Sequence, residues 1–180
     1  MLTIIFSNPC EEWRCSGLSS EIRLAKSEEI EQIRQILKEN ATWLQSKGIN
    51  QWSYLVDGGD YEQIHRAILN KETYILEMDK KIIGTLTASS KQSDWDLEIW
   101  GESNEPSIYI HRLAIGLDGK GKGLGSEALQ WIENHFANRV SYLRLDCVTD
   151  NQKLNQFYKN CGLTLVGQTN GFNKYQKLLQ

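Results

Sequence analysis

The segment Ile110–Ala128 reads IHRLAIGLDGKGKGLGSEA and concentrates glycine and lysine. Glycines at 119, 121, 123 and 125 fall between an apolar run and the next helical pattern. Glycine lets backbone N–H groups approach a ligand closely. The first turn of a helix adds unpaired N–H donors and the positive end of its dipole. Lys120 and Lys122 add formal charge. This chemistry suits an anion of the phosphate or pyrophosphate class.

Two familiar phosphate loops fit poorly. Gly116-x4-Gly121-Lys122 begins like a P-loop, but Gly123 stands where a Ser or Thr would hold magnesium. Gly123-Leu124-Gly125-Ser126-Glu127-Ala128 matches G-x-G-x-x-A, and Asp146 follows Gly123 by 23 residues, as a dinucleotide-binding acid would. Yet seven residues separate Ile115 from Gly123, where a dinucleotide fold turns straight from strand to glycine. A nicotinamide-dependent oxidoreductase therefore stays only as a remote alternative.

Groups able to move protons lie close by in sequence. His111 has a side chain suited to proton transfer near neutral pH, and strand alternation predicts that Tyr109, His111 and Leu113 share one face. Asp94, Asp96, Glu98, Glu102 and Glu105 form an acidic stretch with no basic residue between Lys91 and Arg112. It could draw in a cationic amine and supply a carboxylate base, or be a solvated loop. His65 and His135 sit in helical patterns and read as structural.

The elements that must position these groups follow from periodicity. Ser27 is expected to cap a helix whose apolar positions are Ile30, Ile33, Ile36, Leu37 and Leu44, stopped by Gly48. A second helix fits Tyr61–Leu69. Thr73–Met78 and Lys81–Thr87 read as a hairpin around Asp79–Lys80. Ser89–Pro106 reads as an irregular polar stretch. Strand Ile108–Ile115, helix Leu124–Ala137, strand Val140–Val148, helix Asn151–Asn160 and strands Leu163–Gly167 and Lys174–Leu179 complete a mixed α/β sheet covered on both faces.

Two motifs in this frame resemble one family. Lys120-Gly-Lys-Gly-Leu-Gly-Ser126 is similar to the (Arg/Gln)-x-x-Gly-x-(Gly/Ala) motif of the GNAT superfamily of acetyl-coenzyme-A-dependent N-acetyltransferases, with Lys120 for the usual Arg or Gln. Asn151-x-x-Leu154-Asn155-x-Phe157-Tyr158-x-x-x-Gly162-Leu163 is similar to its second motif, with Leu163 for the common Phe. The resemblance covers residues 21–180 as a single domain and leaves residues 1–20 as an N-terminal extension. The stretch Trp43–Trp52 also looks like members with small or undefined acceptors.

The resemblance implies a mostly antiparallel sheet splayed between its fourth and fifth strands, with helices on both faces. It implies acetyl-coenzyme A as cosubstrate and no metal. Backbone groups of Leu113, Ala114 and Ile115 would hold the pantetheine arm. Lys120, Gly121, Lys122, Gly123, Leu124, Gly125 and Ser126 would hold the pyrophosphate. Asn151 and Asn155 would meet the arm from the other side. Tyr158 would be the acid that protonates the departing thiolate, and His111 is the candidate base. Trp43, Trp52, Trp95 and Trp100, with Tyr109, would flank the acceptor and could hold a cation against a ring. The expected reaction is direct attack of a primary amine, of a small molecule or a peptide, in a ternary complex. A non-catalytic acyl-coenzyme-A-binding or sensing domain is the main alternative, and a homodimer is compatible with the family.

Composition sets the outer limits. The 180 residues carry a net charge of −3, 40% apolar and 24% charged residues, the balance of a single globular domain. No apolar run reaches the ~18–20 residues of a membrane span. Residues 1–105 carry −7 and residues 106–180 carry +4. That basic half suits a phosphate-bearing ligand, but it is too weak a balance for nucleic acid. The four cysteines, Cys10, Cys15, Cys147 and Cys161, form no C-x-x-C pair and no zinc-like spacing. Cys147 and Cys161 read as reduced packing residues. Without a signal-peptide pattern at the N-terminus, a cytoplasmic location is expected.

Overall fold

The computed structural model describes residues 20–179. The proposed N-terminal extension, with Cys10 and Cys15, lies outside them but for Ser20. That residue opens β1 (Ser20–Leu24), an edge strand too short to show a periodic signal. Then follow α1 (Ile30–Ser46), α2 (Ser53–Val56), α3 (Tyr61–Leu69), β2 (Thr73–Met78), β3 (Lys81–Ser89), α4 (Asp94–Trp100), β4 (Ser107–Ile115), α5 (Leu124–Phe136), β5 (Tyr142–Val148), α6 (Gln152–Asn160), β6 (Thr164–Thr169) and β7 (Phe172–Leu178).

The seven strands form one sheet in the order β1-β2-β3-β4-β5-β7-β6. Every pairing is antiparallel except β4 with β5. A lone parallel pair inside an antiparallel sheet is not the doubly wound frame that a nicotinamide cofactor would use. Helices cover both faces, as expected. Ile33, Leu37, Ala41, Leu55, Ile64 and Ile68 of α1–α3 pack on Ile75 and Ala114. Leu124, Ala128, Leu129 and Ile132 of α5, and Tyr158 of α6, pack on the opposite side with Leu86, Ile108, Ile110, Leu143 and Leu145. No helix among the described residues is long and apolar enough to cross a membrane.

Local chemistry explains most boundaries. Asp79 and Lys80 both take positive φ, 51° and 63°, the two-residue turn whose twist matches a hairpin. Gly48 (φ 71°) ends α1 by allowing the left-handed residue that closes a helix. The entry to α1 differs from expectation. Ser27 does not cap it but lies inside a short 3-10 turn, Ser27–Glu29. Glu29 reaches back to accept the N–H of Lys26 at 2.7 Å, and Arg23 holds Glu29 at 2.7 Å. Hydrogen bonding from Arg23 thereby holds the Glu29 carboxyl below the usual range. The stretch 89–106 is also more ordered than expected. It contains α4, opened by Ser93, whose Oγ accepts the Asp96 N–H.

Two departures from regularity in β4 shape the region that holds the candidate site residues. First, β4 carries an extra residue: Thr87 pairs with His111, whereas Thr85 pairs with Ala114. Such a bulge breaks alternation. Leu113 therefore joins Ile108 and Ile110 on the α5 face and does not share a face with Tyr109 and His111. Arg112 takes φ 52° at the bulge, and its Nε donates to Asp60 Oδ2 at 2.7 Å. Second, β4 and β5 pair only over Ser107–Tyr142, Ile108–Leu143 and Tyr109–Arg144. Beyond Tyr109 the strands diverge and leave a notch in the sheet.

The Arg112–Asp60 pair anchors the bulge, with side-chain exposures of 14% and 3%. Asp60→Asn keeps a residue that tolerates the positive φ of this position but removes the charge that balances Arg112. Breaking a buried pair in this way costs roughly 3 kcal/mol. The expected result is a melting temperature roughly 6–12 °C lower, read by thermal denaturation.

Candidate active site at the strand divergence

The glycine–lysine loop lies between β4 and α5. Gly121 (φ 77°) and Gly123 (φ 75°) take left-handed conformations, and a Cβ on Gly121 would meet nothing within 4 Å. The N–H groups of Ser126 and Glu127 both turn to the Gly123 carbonyl, and Ser126 Oγ donates to that same oxygen at 2.7 Å. Among the described residues, the N–H groups of Gly121, Gly123, Leu124 and Gly125 have no protein acceptor. The cradle is thus narrower than expected at Ser126. Gly125 has a second task, because a Cβ there would come 3.2 Å from the ring of Phe157. It lets α6 pack tightly on α5.

Lys120 Nζ is buried without a hydrogen-bond partner among the described residues and lies 3.8 Å from the ring centroid of Trp43. Burial lowers the pKa of this ammonium. Trp43 therefore belongs to the anion loop. Lys122 is exposed. Four free N–H donors, open glycines and a cation with no hydrogen bond of its own fit a diphosphate, the part of coenzyme A that such a loop would hold.

At the notch, His111 Nε2 lies 3.2 Å from Asp96 Oδ2. Asp96 is 1% exposed, and its Oδ2 also accepts the Ser93 N–H at 2.8 Å and the Ser93 hydroxyl at 2.6 Å. Burial opposes its charge, but the hydrogen bonds from His111 and Ser93 outweigh that and hold the carboxyl below its ordinary range. Asp146 stands on β5, and its Oδ1 accepts the indole N–H of Trp95 at 3.2 Å. Burial raises the Asp146 carboxyl, against the pull of His111 and the indole, and the charge of Asp96 adds to the rise. The rest of the acidic stretch points elsewhere. Glu98 accepts from Asn170, Glu105 pairs with Arg144, and Asp94 and Glu102 are exposed.

Tyr158 sits on α6, 6% exposed, among Phe157, Tyr175 and Cys147. Burial pushes its phenol far above the ordinary tyrosine range, so it keeps its proton at physiological pH. Burial, with Asp146 adding, also pushes the Cys147 thiol up to about 12. A protonated thiol is a poor nucleophile.

The two asparagines divide. Asn151 caps α6 by accepting the Leu154 N–H at 3.1 Å and donates to Gln51 at 3.1 Å. Asn155 donates to the carbonyls of Val148, Thr149 and Asn151 and accepts from Asn173 and Tyr175. That uses its full hydrogen-bonding capacity, so its side chain is a clamp between β5, α6 and β7. The aromatics divide too. Trp52 packs with the α1–α3 core. Tyr109 is 2% exposed, and its hydroxyl accepts from Arg144 at 3.2 Å. Arg144 also lies 5.2 Å from the ring centroid of Trp100. Tyr109 and Trp100 thus surround a buried arginine at the closed end of the notch. Sequence reasoning missed Arg144, and it missed Asp146 as a neighbour of His111.

A notch between diverging strands, with an anion loop beside it and an acid and a histidine at its walls, suits transfer of an acyl group from a phosphate-bearing carrier. The chain belongs to the acetyltransferase (GNAT) family, whose model matches residues 30–163, and it is an N-acetyltransferase. It is 35% identical over 154 residues to the uncharacterized N-acetyltransferase YesJ of Bacillus subtilis (strain 168), covering 83% of this chain and 85% of that one. A GNAT-family acetyltransferase from Listeria monocytogenes 4b F2365 superposes with TM-score 0.80 at 29% identity, over 91% of this chain and 97% of that one. The PaiA N-acetyltransferase of Thermoplasma acidophilum, solved with coenzyme A, superposes with TM-score 0.72 at 18% identity, over 89% and 99% of the two chains.

Proposed function

We propose that this enzyme moves the acetyl group of acetyl-coenzyme A to a primary amine, of a small molecule or a peptide, by direct attack in a ternary complex. The observation that carries this reading is the notch itself. It opens after three residue pairs, with His111 on β4 and a protonated Tyr158 on α6. When bound, acetyl-coenzyme A supplies the activated acyl thioester.

The chain's residues then have two proton problems to solve. A lysine-like amine has a pKa near 10.4, and freeing its lone pair at pH 7 costs about 4.6 kcal/mol. His111 takes that proton. Tyr158 donates its phenolic proton to the leaving sulfur. The four free N–H groups of the loop and Lys120 would hold the diphosphate, and the backbone of Leu113–Ile115 would hold the pantetheine arm. Asn151, at the head of α6, would meet the arm from the other side.

A thiol-release assay with acetyl-coenzyme A against a panel of amines tests the reading, beside calorimetry with coenzyme A. Turnover on an amine supports it. Coenzyme A binding with no turnover on small amines or peptide N-termini overturns the primary-amine reading. In the same calorimetry, Lys120→Ala is expected to weaken coenzyme A binding by about tenfold, the effect of losing one charge-assisted contact.

A further inference from the structure

Asp96 is more than a helix cap. A carboxylate that only capped α4 would remain in water, as N-terminal acids of helices ordinarily do. Here the side chain is buried, one oxygen takes both Ser93 donors and lies 3.2 Å from His111 Nε2, and among the described residues Oδ1 is buried without a partner. A buried unpaired oxygen costs stability, so the placement serves something other than the helix. Ser93 fixes the carboxylate through its backbone and its hydroxyl, and the remaining contact is with His111 Nε2, where an ionised carboxylate can only accept. Among the described residues no group hydrogen-bonds His111 Nδ1. Arg112, next in sequence, is occupied by Asp60 and Gln63. Asp146 on β5 is near enough to act on the imidazole electrostatically.

We infer that Asp96 is a positioning residue for acetyl transfer: its ionised carboxylate accepts the Nε2–H of His111, fixes that tautomer, and makes Nδ1 the atom that receives the amine proton. The role in transfer rests on the proposed function; the tautomer does not. In the reaction the ammonium loses one proton to His111 Nδ1, the freed nitrogen forms a bond to the acyl carbon, and its second proton leaves to solvent as the amide forms. The carbon–sulfur bond breaks, and the sulfur takes the Tyr158 proton. His111 then passes its proton to solvent and Tyr158 regains one. The imidazolium that forms in between lies against the Asp96 carboxylate, which stabilises it.

The test joins spectroscopy with kinetics. Imidazole nitrogen NMR on uniformly labelled protein identifies His111 by the signal lost in His111→Gln. The wild type is expected to carry the neutral-form proton on Nε2, and Asp96→Asn to shift population to Nδ1–H. With an accepted amine, Asp96→Asn is expected to lower kcat by about 10²-fold while KM for the amine and coenzyme A affinity stay within about threefold, the latter also showing that the variant is folded. A wild-type His111 protonated on Nδ1, or a tautomer unmoved by Asp96→Asn, overturns the inference even if the enzyme acetylates amines. A kcat within twofold of wild type overturns the positioning role. If no amine is acetylated but the tautomer is Nε2–H and shifts in the variant, the transfer reading fails and the Asp96–His111 assignment stands.

Discussion

Replacing Tyr158 with phenylalanine is expected to lower kcat by about 10²-fold or more, while coenzyme A affinity changes less than about threefold. Tyr158 is a buried phenol on α6, and burial keeps it protonated. Its ring stays packed against Phe157 and Tyr175 whether or not the oxygen is present. Phenylalanine therefore keeps the core and deletes only the proton. Without it the sulfur must leave as a free thiolate or take its proton from water. Steady-state kinetics by thiol release, beside calorimetry on the same variant, separates the two effects. An unchanged kcat removes Tyr158 as the acid and leaves the rest of the site intact.

His111→Gln carries the second large effect, a loss of about 10²–10³-fold in kcat/KM at pH 7. For an aliphatic amine the pH dependence of what remains is diagnostic. With no base at hand, only acceptor molecules already deprotonated in solution react. Their fraction rises tenfold per pH unit below the amine's own pKa near 10.4. The variant's residual rate is thus expected to climb by nearly tenfold per unit between pH 7 and 9, and the wild type to climb less. Parallel profiles for the two proteins would show that His111 does not handle the amine proton.

The framework was legible in the sequence wherever a pattern repeats within one element. The 3.6-residue spacing of Ile30, Ile33 and Leu37 and the turn pair Asp79–Lys80 gave their elements within a residue or two. The loop and the Tyr158 motif were legible because both are contiguous. What escaped depends on distant partners. Arg112 adopts a left-handed backbone beside an aspartate 52 residues earlier, and nothing local marks the bulge that turns Leu113 over. Asn155 reads as a ligand-binding amide until its five partners, on β5, on β7 and at the head of α6, are seen together. The helix α4 is a different case. Ser93 followed three residues later by Asp96 is a capping-box pattern, and Ile99 supplies a buried position. The signal was present but submerged in a run of acids.

The short contact between β4 and β5 also bears on how the molecule comes apart. The sheet consists of a four-stranded slab, β1–β4, and a three-stranded slab, β5–β7, joined along a seam of three residue pairs. Arg144 reinforces the closed end of that seam by gripping Ser103, Glu105 and Gln176. Elements joined by few hydrogen bonds open at lower free energy than either body they join, so amide exchange should be fastest along this line. A ligand lying across the notch ties the slabs together. By mass action it stabilises the whole by about 2.7 kcal/mol at a hundredfold excess over its dissociation constant. The cleft proposed for acetyl transfer is also the sheet's mechanical weak line, and a bound substrate would be its splint.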